Sequence, residues 1–557
     1  MVKGIWDFIH RTSNGLHQAA YLLGFFAILS QVLGLFRDRL LAHNFGAGIE
    51  LDLYYAAFRL PDFLFVSIAS LVSVSVLIPL LVGRLTDKEQ SRKLLDSAFS
   101  FFFLAVIVSC VAVFVLSPML LKIIFPGFVG GDFERLVFLT RILLLSPIFL
   151  GFSNLLASIV QAHRRFLLYA LSPIVYNLSI ISGIVFFVPS LGIIGVVWGV
   201  VIGALVHFLI QLPFVLKVGL LPKFTFRWSR AELKQIILLS APRTLALSVN
   251  HLSLLFLFSF ASLLTLGSIT IFNLSFNLQS VPLSIIGVSY SLAAFPTLSL
   301  FFANGDRIKF VEQISAAAKH IIFWSLPAAV LFIVLRAQIV RTILGTGEFS
   351  WSDTRLTAAA LAIFSVSVVS QGLNLLFTRG YYAAGQTKKP LLINSISAIF
   401  IIIASFGLLK FFQSNDLFRF FIEALFRVEN LAGSSVLMLP LGFSLGMILN
   451  SLLLLGLFRS DFGQTSKTLF GVFFQSFSAS IIAGSVAWLG LQILAPLLDQ
   501  NTLIGIFLQG SLAGLLGIAV GVAVLLILDN REIREIWVNF HKKIWGTKVI
   551  GSDSEIA

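Results

Sequence analysis

The chain has 557 residues, of which 58% are hydrophobic and 11% are charged. Soluble domains are about half apolar and about a quarter charged, so this composition excludes an ordinary soluble protein and predicts an all-α polytopic membrane protein. The net charge is +14, and the single cysteine, Cys110, excludes an intrachain disulfide and a cysteine metal cluster.

Apolar stretches long enough to cross a bilayer recur along the whole sequence. A helical span needs about 20 mostly apolar residues, and on that rule we expect about fourteen spans. The second and eighth stretches contain internal prolines and polar residues, so we expect bent helices there. The expected spans lie near 20–41, 53–83, 94–121, 136–160, 166–188, 191–216, 235–263, 268–301, 314–335, 356–378, 390–412, 435–458, 470–494 and 503–528.

Lys and Arg are concentrated in the N-terminal segment, in every second loop and in the C-terminal tail. We count roughly 26 basic residues on that side of the expected spans against about 8 on the other, which places both termini in the cytoplasm. Because this asymmetry accounts for most of the net charge, no nucleic-acid partner is needed to explain it. The first 19 residues lack the layout of a signal peptide and predict a short interfacial helix.

Two segments of similar sequence indicate an internal duplication. Pro173 and Asn177 follow one basic pair, Pro390 and Asn394 follow another, and the offset is 217 residues for both the proline and the asparagine. The period contains six expected spans, so the two copies form parallel-repeat lobes with a substrate site at their interface. The expected domains are an N-terminal interfacial segment 1–19, an N-lobe 20–216, a cytoplasmic linker 217–234, a C-lobe 235–458, two further spans within 459–528 and a basic cytoplasmic tail 529–557.

The segment 413–434 separates the eleventh and twelfth expected spans. Its apolar residues recur at helical spacing, with charged residues between them. This pattern predicts a short amphipathic helix on the external side, and two interpretations are open: it lies on the outer membrane interface, or it packs on the protein as a lid.

Charged and amide side chains fall inside the spans that open each lobe. Inserting a charge into a span costs on the order of 2.5–3.5 kcal/mol, so such side chains commonly face a protein interior or a wet cavity. Spacings of three, four and seven residues place several of them on shared helix faces. The candidate substrate-binding residues are Gln31, Arg37, Asp38, Asp52, Arg59, Arg243, Asn250, Asn273 and Asn277.

Two interpretations of these charges are open. In the first, Arg37 with Asp38 and Asp52 with Arg59 form buried ion pairs that hold helices together and bind nothing. In the second, four arginines face only the two acids Asp38 and Asp52, and the excess of arginine forms a cationic chamber suited to a pyrophosphate. The four are Arg37, Arg39, Arg59 and Arg243. Arginine favours the second interpretation because its guanidinium binds phosphate with two parallel hydrogen bonds.

Other residues and motifs restrict the chemistry. We expect Asn177 and Asn394 to satisfy backbone groups near the prolines rather than to bind substrate, and Arg141 stands alone in the fourth span. The sequence has no nucleotide-binding loop and no metalloprotease motif, so we expect a transporter and not an enzyme. We expect no bound cofactor, and the driving force would be the membrane potential or a coupling cation such as Na⁺ or H⁺.

Five stretches resemble the MurJ/MviN family of lipid II flippases, within the multidrug/oligosaccharidyl-lipid/polysaccharide exporter superfamily. VLGLFRDRLLAHNFGAG at 32–48 and LDLYYAAFRLPD at 51–62 resemble the opening signature of that family. QAHRRFLLYALSPIVYNLS at 161–179 resembles its fourth-to-fifth helix loop. LGTGEFSWSDTRLTAAAL at 344–361 and RGYYAAGQTKKP at 379–390 resemble its tenth-helix entry and the following loop.

The resemblance implies two six-helix lobes around a central cavity that opens alternately to the two sides of the bacterial cytoplasmic membrane. It implies transport of an undecaprenyl-pyrophosphate-linked peptidoglycan precursor from the inner to the outer leaflet. By position, Arg37 and Asp52 match functional cavity residues of the family, and Arg59 matches a usual basic position. The sequence departs from the usual family charges at Gln31, Ser70, Asn277 and Ser280.

The departures leave a choice between compensation and a different cargo. Either Arg243 and Arg141 supply the missing positive charge, or the chain carries another lipid-linked oligosaccharide of the O-antigen or capsule type. A drug exporter of the same superfamily would carry acids without excess arginine. The remaining alternative is a non-transporting scaffold that recruits cell-wall synthesis enzymes through the 413–434 helix and the basic tail.

Overall fold

A computed structural model of the chain describes residues 16–69, 77, 81, 87–226, 230–463, 468–530 and 532–533. Every regular element in these described ranges is a helix, which confirms the all-α prediction. The chain folds into two compact units. Unit 1 comprises Met1–Val281, Val340–Ser367 and Gly385–Leu454, and unit 2 comprises Pro282–Ile339, Val368–Ala384 and Leu455–Ala557.

Helices account for each of the apolar stretches in the described ranges. They are α1 Leu16–Phe45, α2 Ile49–Leu64, α3 Lys88–Ile124, α4 Gly130–Leu143, α5 Leu145–Ala162, α6 Phe166–Ser182, α7 Val188–Leu191, α8 Ile193–Leu209, α9 Leu212–Val218, α10 Arg230–Ser262, α11 Ser268–Pro282, α12 Ser289–Ala303, α13 Arg307–Val334, α14 Arg336–Ile343, α15 Trp351–Ser365, α16 Val368–Ala383, α17 Lys388–Ser414, α18 Asp416–Phe426, α19 Met438–Phe462, α20 Thr468–Leu494 and α21 Leu503–Ile527.

Ten described helices are long and apolar enough to cross a membrane, and the pair α15–α16, bent by 45°, makes an eleventh. The chain is therefore a multi-pass membrane protein. The other three expected spans correspond to α1, α2 and α10, which adjoin or include residues outside the described set. The count of fourteen spans remains a prediction.

The second and eighth apolar stretches both contain a π-helical turn. One turn, Phe65–Ala69, follows α2, and the other, Leu283–Val288, joins α11 to α12. Pro61 lies inside α2 and Pro282 ends α11. Proline and π-helical turns are both recognised causes of helix bending, so both stretches carry the features expected of bent spans.

Unit 1 is held together by apolar side chains and by close backbone contact between two helices. The rings of Phe276, Phe364 and Phe443 lie 5.5–5.6 Å apart and join α11, α15 and α19. A Cβ atom added at Gly183 would lie 2.7 Å from the Cα of Gly199. Glycines let the backbones approach this closely, as is common between membrane helices.

Unit 2 is built around the last two spans and the helices that flank them. A Cβ added at Gly517 of α21 would lie 2.6 Å from the carbonyl oxygen of Ala483 in α20. A Cβ added at Gly484 of α20 would lie 2.6 Å from Val330 of α13. The two spans outside the proposed repeat are therefore packed tightly into this unit.

The two compact units do not follow the boundary between the expected lobes. Unit 1 contains helices from both 20–216 and 235–458, and unit 2 takes the remaining part of the second range together with the last two spans. The interfacial segment 1–19 and most of the tail 529–557 lie outside the described residues. The division into two six-helix lobes remains a prediction.

The close approach of α8 to the π-helical turn Gly183–Phe187, which follows α6, gives a test of this packing. A Cβ at Gly195 would lie 2.6 Å from the carbonyl carbon of Phe187, and backbone cannot move aside as a side chain can. We expect Gly195→Ala to destabilise the protein by about 1–3 kcal/mol. Thermal unfolding of the detergent-solubilised protein measures the effect. Gly407→Ala is the matched control, because no atom lies within 4 Å of its added Cβ; equal midpoints for the two variants would contradict the packing.

Candidate functional site

The polar residues predicted from the sequence come together where α1, α2, α6, α10 and α11 meet within unit 1. The first contact is an ion pair between neighbours on α1. Nε and Nη2 of Arg37 donate to Oδ1 of Asp38 over 3.0 and 2.8 Å. Asp38 is buried and the Arg37 side chain is 23% exposed. The predicted ion pair between Arg37 and Asp38 is therefore present, and whether it also binds substrate stays a prediction.

Asn177 of α6 supports this pair from the opposite side. Its Oδ1 accepts a hydrogen bond of 3.1 Å from Nη1 of Arg37. Its Nδ2 donates to the carbonyl oxygen of Pro173 over 3.1 Å and to Oγ of Ser30 over 3.2 Å. The expectation that Asn177 satisfies a backbone group near the proline is confirmed, but the residue also fixes an arginine, which the sequence did not indicate.

Asn277 of α11 completes the environment of Asp38. Its Nδ2 donates to Oδ2 of Asp38 over 3.0 Å, so the carboxylate links α1 to α11. Ser280, one turn later, donates to the carbonyl oxygen of Asn277 within the same helix. Each carboxylate oxygen of Asp38 thus accepts a hydrogen bond, one from Arg37 and one from Asn277. The family resemblance would place an arginine at position 277, where this chain has an amide.

Arg59 of α2 is held without a hydrogen-bonded carboxylate among the described residues. Its Nη2 donates to Oδ1 of Asn273 over 2.8 Å, and its Nε donates to the carbonyl oxygen of Tyr55 over 3.1 Å. The guanidinium carbon lies 3.7 Å from the centre of the Phe258 ring, which is a cation–π contact. Within the described part of the chain, Nη1 makes no hydrogen bond.

Asp62 lies one turn after Arg59, and its electrostatic attraction acts on the guanidinium. Asp62 is not among the candidate residues predicted from the sequence, although it stands in the same stretch, 51–62. Counting it reduces the expected excess of arginines over acids. Its carboxylate makes no hydrogen bond to a described residue, which distinguishes it from Asp38 and Asp52.

Asp52 binds the start of α11 and does not orient an arginine. Its Oδ2 accepts from the backbone nitrogen of Gly267 over 2.7 Å, and its Oδ1 accepts from the nitrogen and Oγ1 of Thr270 over 2.8 and 2.7 Å. The expectation that Asp52 pairs with or orients Arg59 is therefore wrong. The physical reason is that the first N–H groups of a helix lack partners within the helix and attract a carboxylate strongly.

The end of α1 contacts the segment that joins α14 to α15. Arg39 donates from Nη1 to the carbonyl oxygens of Thr342 and Ile343, at the C-terminus of α14. The nitrogen of Glu348 donates to the carbonyl oxygen of His43 over 3.0 Å. Helix C-terminal carbonyls attract cations, so Arg39 is engaged there and does not contribute to a chamber.

Several predicted residues do not join these contacts. The half-buried side chains of Gln31 and Asn250 make no hydrogen bond within the described part of the chain. Arg141 donates to Ser117 over 3.1 Å and lies over the Phe114 ring, and neither contact belongs to the cluster around Arg37 and Arg59. Its compensating role stays a prediction. The side chain of Arg243 and the whole of Ser70 lie outside the described residues.

Among the described residues, the arrangement presents Arg37 in an ion pair with a carboxylate and Arg59 with one guanidinium nitrogen, Nη1, that makes no hydrogen bond. Arg37 is compensated by Asp38, whereas Arg59 is held by an amide, a carbonyl and a ring. Such an environment fixes the orientation of a guanidinium and leaves its charge able to attract an anion. No group of three or more His, Cys, Asp or Glu side chains that could hold a metal ion occurs among the residues described.

The Asp52 contact gives a test that does not depend on transport. An amide in place of the carboxylate loses the negative charge and turns an NH₂ group toward an N–H donor, so we expect Asp52→Asn to destabilise the protein by about 1–3 kcal/mol. Glu50→Gln is the control, because Glu50 pairs with Arg135 in an exposed ion pair worth about 0–1 kcal/mol. Thermal unfolding of both variants measures the difference, and a larger loss for Glu50→Gln would contradict the assignment.

Comparison with known proteins places the chain in a family. The family sequence model described as Lipid II flippase MurJ matches residues 41–506. The probable lipid II flippase MurJ of Buchnera aphidicola is 30% identical over 375 residues, which cover 65% of this chain and 72% of that protein. The lipid II flippase MurJ of Burkholderia cenocepacia is 26% identical over 486 residues, or 85% and 90% of the two chains.

Solved structures share the fold. A structure described as lipid II flippase MurJ in an inward closed conformation superposes with a TM-score of 0.72 at 23% identity and covers 93% of this chain and 100% of that one. An inward-facing multidrug resistance MATE transporter of the MOP superfamily gives a TM-score of 0.63 at 14% identity and covers 78% and 94%. The resemblance seen in the sequence is therefore confirmed, and the chain belongs to the MurJ family of lipid II flippases.

Proposed function

We propose that this chain is a lipid II flippase that moves an undecaprenyl-pyrophosphate-linked peptidoglycan precursor from the inner to the outer leaflet. It works by alternating access in the bacterial cytoplasmic membrane, with both termini in the cytoplasm. The family match over residues 41–506 supports this proposal, as does the name carried by its relatives. The chain is a transporter and not an enzyme.

The contacts of Arg59 are the structural observation that favours a pyrophosphate cargo. Among the described residues, Arg59 has no hydrogen-bonded carboxylate. A phosphate would accept hydrogen bonds from its guanidinium nitrogens and would supply the missing negative charge. Asn273 and Phe258 hold the guanidinium in place without neutralising it. In this proposal Arg59 binds the pyrophosphate directly.

Arg37 has a second role in the same proposal. Its guanidinium is already engaged by Asp38 and Asn177. It therefore contributes to substrate binding by exchanging the carboxylate of Asp38 for a phosphate of the substrate. Arg243 is proposed as a further phosphate ligand. Gln31, Asn250, Asn273 and Asn277 are proposed to line the path of the sugar–peptide head group; the lipid tail stays in the bilayer.

The energy source is proposed to be the membrane potential or a cation gradient of Na⁺ or H⁺. The sequence contains no nucleotide-binding loop, so hydrolysis by this chain does not supply the energy. Among the described acids near Arg59, Asp62 is available to take up a proton or a cation, because its carboxylate makes no hydrogen bond there. Ionisable residues inside spans serve as such relays in other transporters.

Complementation of bacteria depleted of their own flippase tests the role of the arginines. We expect the wild-type gene to restore growth and the double variant Arg37→Ala, Arg59→Ala to fail. The control is Arg135→Ala, which removes an arginine of α4 that pairs with Glu50. Equal rescue by the double variant and the wild type, at matched expression, would reject the pyrophosphate role.

A binding measurement isolates Arg59. Losing hydrogen bonds to a charged group costs about 1.5–3 kcal/mol, so we expect Arg59→Ala to weaken retention of a purified undecaprenyl-pyrophosphate lipid about 10- to 100-fold. Arg59→Lys keeps the charge but loses the fork of the guanidinium, and we expect an intermediate value. Native mass spectrometry with added lipid measures retention. Unchanged retention by Arg59→Ala would place the phosphate elsewhere.

Transport of another lipid-linked oligosaccharide is the second candidate. The amide of Asn277 faces Asp38 at a position where the family pattern has positive charge, and Gln31 is likewise neutral. We expect lipids co-purified from the native membrane to contain the peptidoglycan precursor. Recovery of an O-antigen or capsule lipid in its place would favour the alternative. A recruiting scaffold for cell-wall enzymes would show no lipid flux in proteoliposomes.

A further inference from the structure

The short helix α18 exposes an entirely apolar face. Leu417, Phe420, Phe421 and Leu425 are 83%, 59%, 60% and 56% exposed. Their spacing of three and four residues places them on one side of the helix, together with the exposed Ala424. A helix that meets water on its outer side carries polar residues there, so this face is the reverse of a soluble surface.

The polar residues of α18 lie at its edge or point toward the protein. Glu423 is buried, and its Oε1 accepts a hydrogen bond of 2.7 Å from Oγ of Ser434. Ile422 beside it is also buried. Arg419 pairs with Asp416 over 2.9 Å along the helix. The apolar face is therefore not a consequence of a general lack of polar residues, because those present are placed on other sides.

The helix is fixed at both ends. Asn415 caps its N-terminus by accepting a hydrogen bond of 2.9 Å from the nitrogen of Phe418. At the other end, Nε and Nη2 of Arg355 donate to the carbonyl oxygen of Arg427. These contacts determine which side of the helix faces outward.

The apolar face continues the lipid-facing surface of the neighbouring span. The Phe418 ring lies 4.8 Å from that of Phe411, near the end of α17. On α17, Phe411, Phe406 and Ile403 are exposed in a span long and apolar enough to cross the membrane. Exposed apolar side chains therefore run along α17 toward α18; the exposed Lys410 stands between Phe406 and Phe411, with its ammonium 5.8 Å from the centre of the Phe406 ring.

The position and charge of α18 fit the surface of a bilayer. The helix has 11 residues, about 16 Å, which is too short to span, and it joins the same-side ends of α17 and α19. Asp416 and Arg419 neutralise each other, so the outward face of α18 itself offers a protein partner no net charge; the exposed cations Lys410 and Arg427 precede and follow the helix in the chain. We propose that the outward face of α18 is embedded in the acyl-chain boundary of the bilayer. It anchors the C-terminal end of α17 and the N-terminal end of α19 to the leaflet in which α18 lies.

Spin labelling tests the proposal in the full-length protein. Cys110 is the single cysteine, so Cys110→Ala gives a background in which one cysteine at a time is labelled with a nitroxide. The test positions are Leu417→Cys and Phe421→Cys. Ile403→Cys on α17 is the lipid-facing control, and Asp416→Cys at the edge of α18 is the control nearest to water. The protein is reconstituted into phosphatidylcholine nanodiscs.

Power saturation with oxygen and with a water-soluble nickel chelate gives the result. We expect the ratio of oxygen to nickel accessibility at the two test positions to be several-fold higher than at Asp416→Cys and to approach that at Ile403→Cys. A ratio like that of Asp416→Cys would place the face in water. Low accessibility to both reagents would mean that protein covers it. Either outcome would overturn the proposal, and because both test residues are exposed, their replacement leaves the packed side of α18 intact.

Discussion

The cost of removing a charge from water governs the arrangement of the first helices of this protein. An arginine or aspartate inside a span needs hydrogen-bonding partners, since lipid offers none. Arg37 and Asp38 meet this need by pairing with each other, and each then takes an amide from another helix, Asn177 and Asn277. The same requirement that neutralises the charges therefore also connects α1 to α6 and α11.

A helix terminus serves the same purpose for Asp52 and Arg39, which form no ion pair among the described residues. Asp52 accepts three hydrogen bonds from Gly267 and Thr270 at the start of α11, so the partial positive charge of that terminus replaces an arginine. Arg39 makes the reverse contact at the end of α14. Asp52 and Arg39, one acid and one base that the sequence presents for a cationic chamber, are thus each engaged by a helix end, and neither balances the charge of Arg59.

The sequence located the helices and most of the polar cluster, because apolar length and helical spacing are local properties of the chain. It could not identify the partners of Asp52, which lie 215 residues or more away and include backbone nitrogens that leave no pattern in the sequence. Seven-residue spacing placed Asp52 and Arg59 on one face of α2, but a shared face does not determine which neighbouring helix supplies the contact. The second role of Asn177 was missed for the same reason.

The neutral amide at Asn277 affects how firmly α1 is tied to α11. A hydrogen bond between an amide and a carboxylate contributes about 1.5–3 kcal/mol, whereas breaking a buried ion pair by separating its partners costs about 3–5 kcal/mol. Asp38 retains Arg37 as its counterion whether or not Asn277 is present, because both residues belong to α1. Separating the two helices would therefore leave no uncompensated charge in the membrane. An arginine at position 277 would have to lose its carboxylate in that step, so the neutral amide of Asn277 lowers the cost of separating α1 from α11.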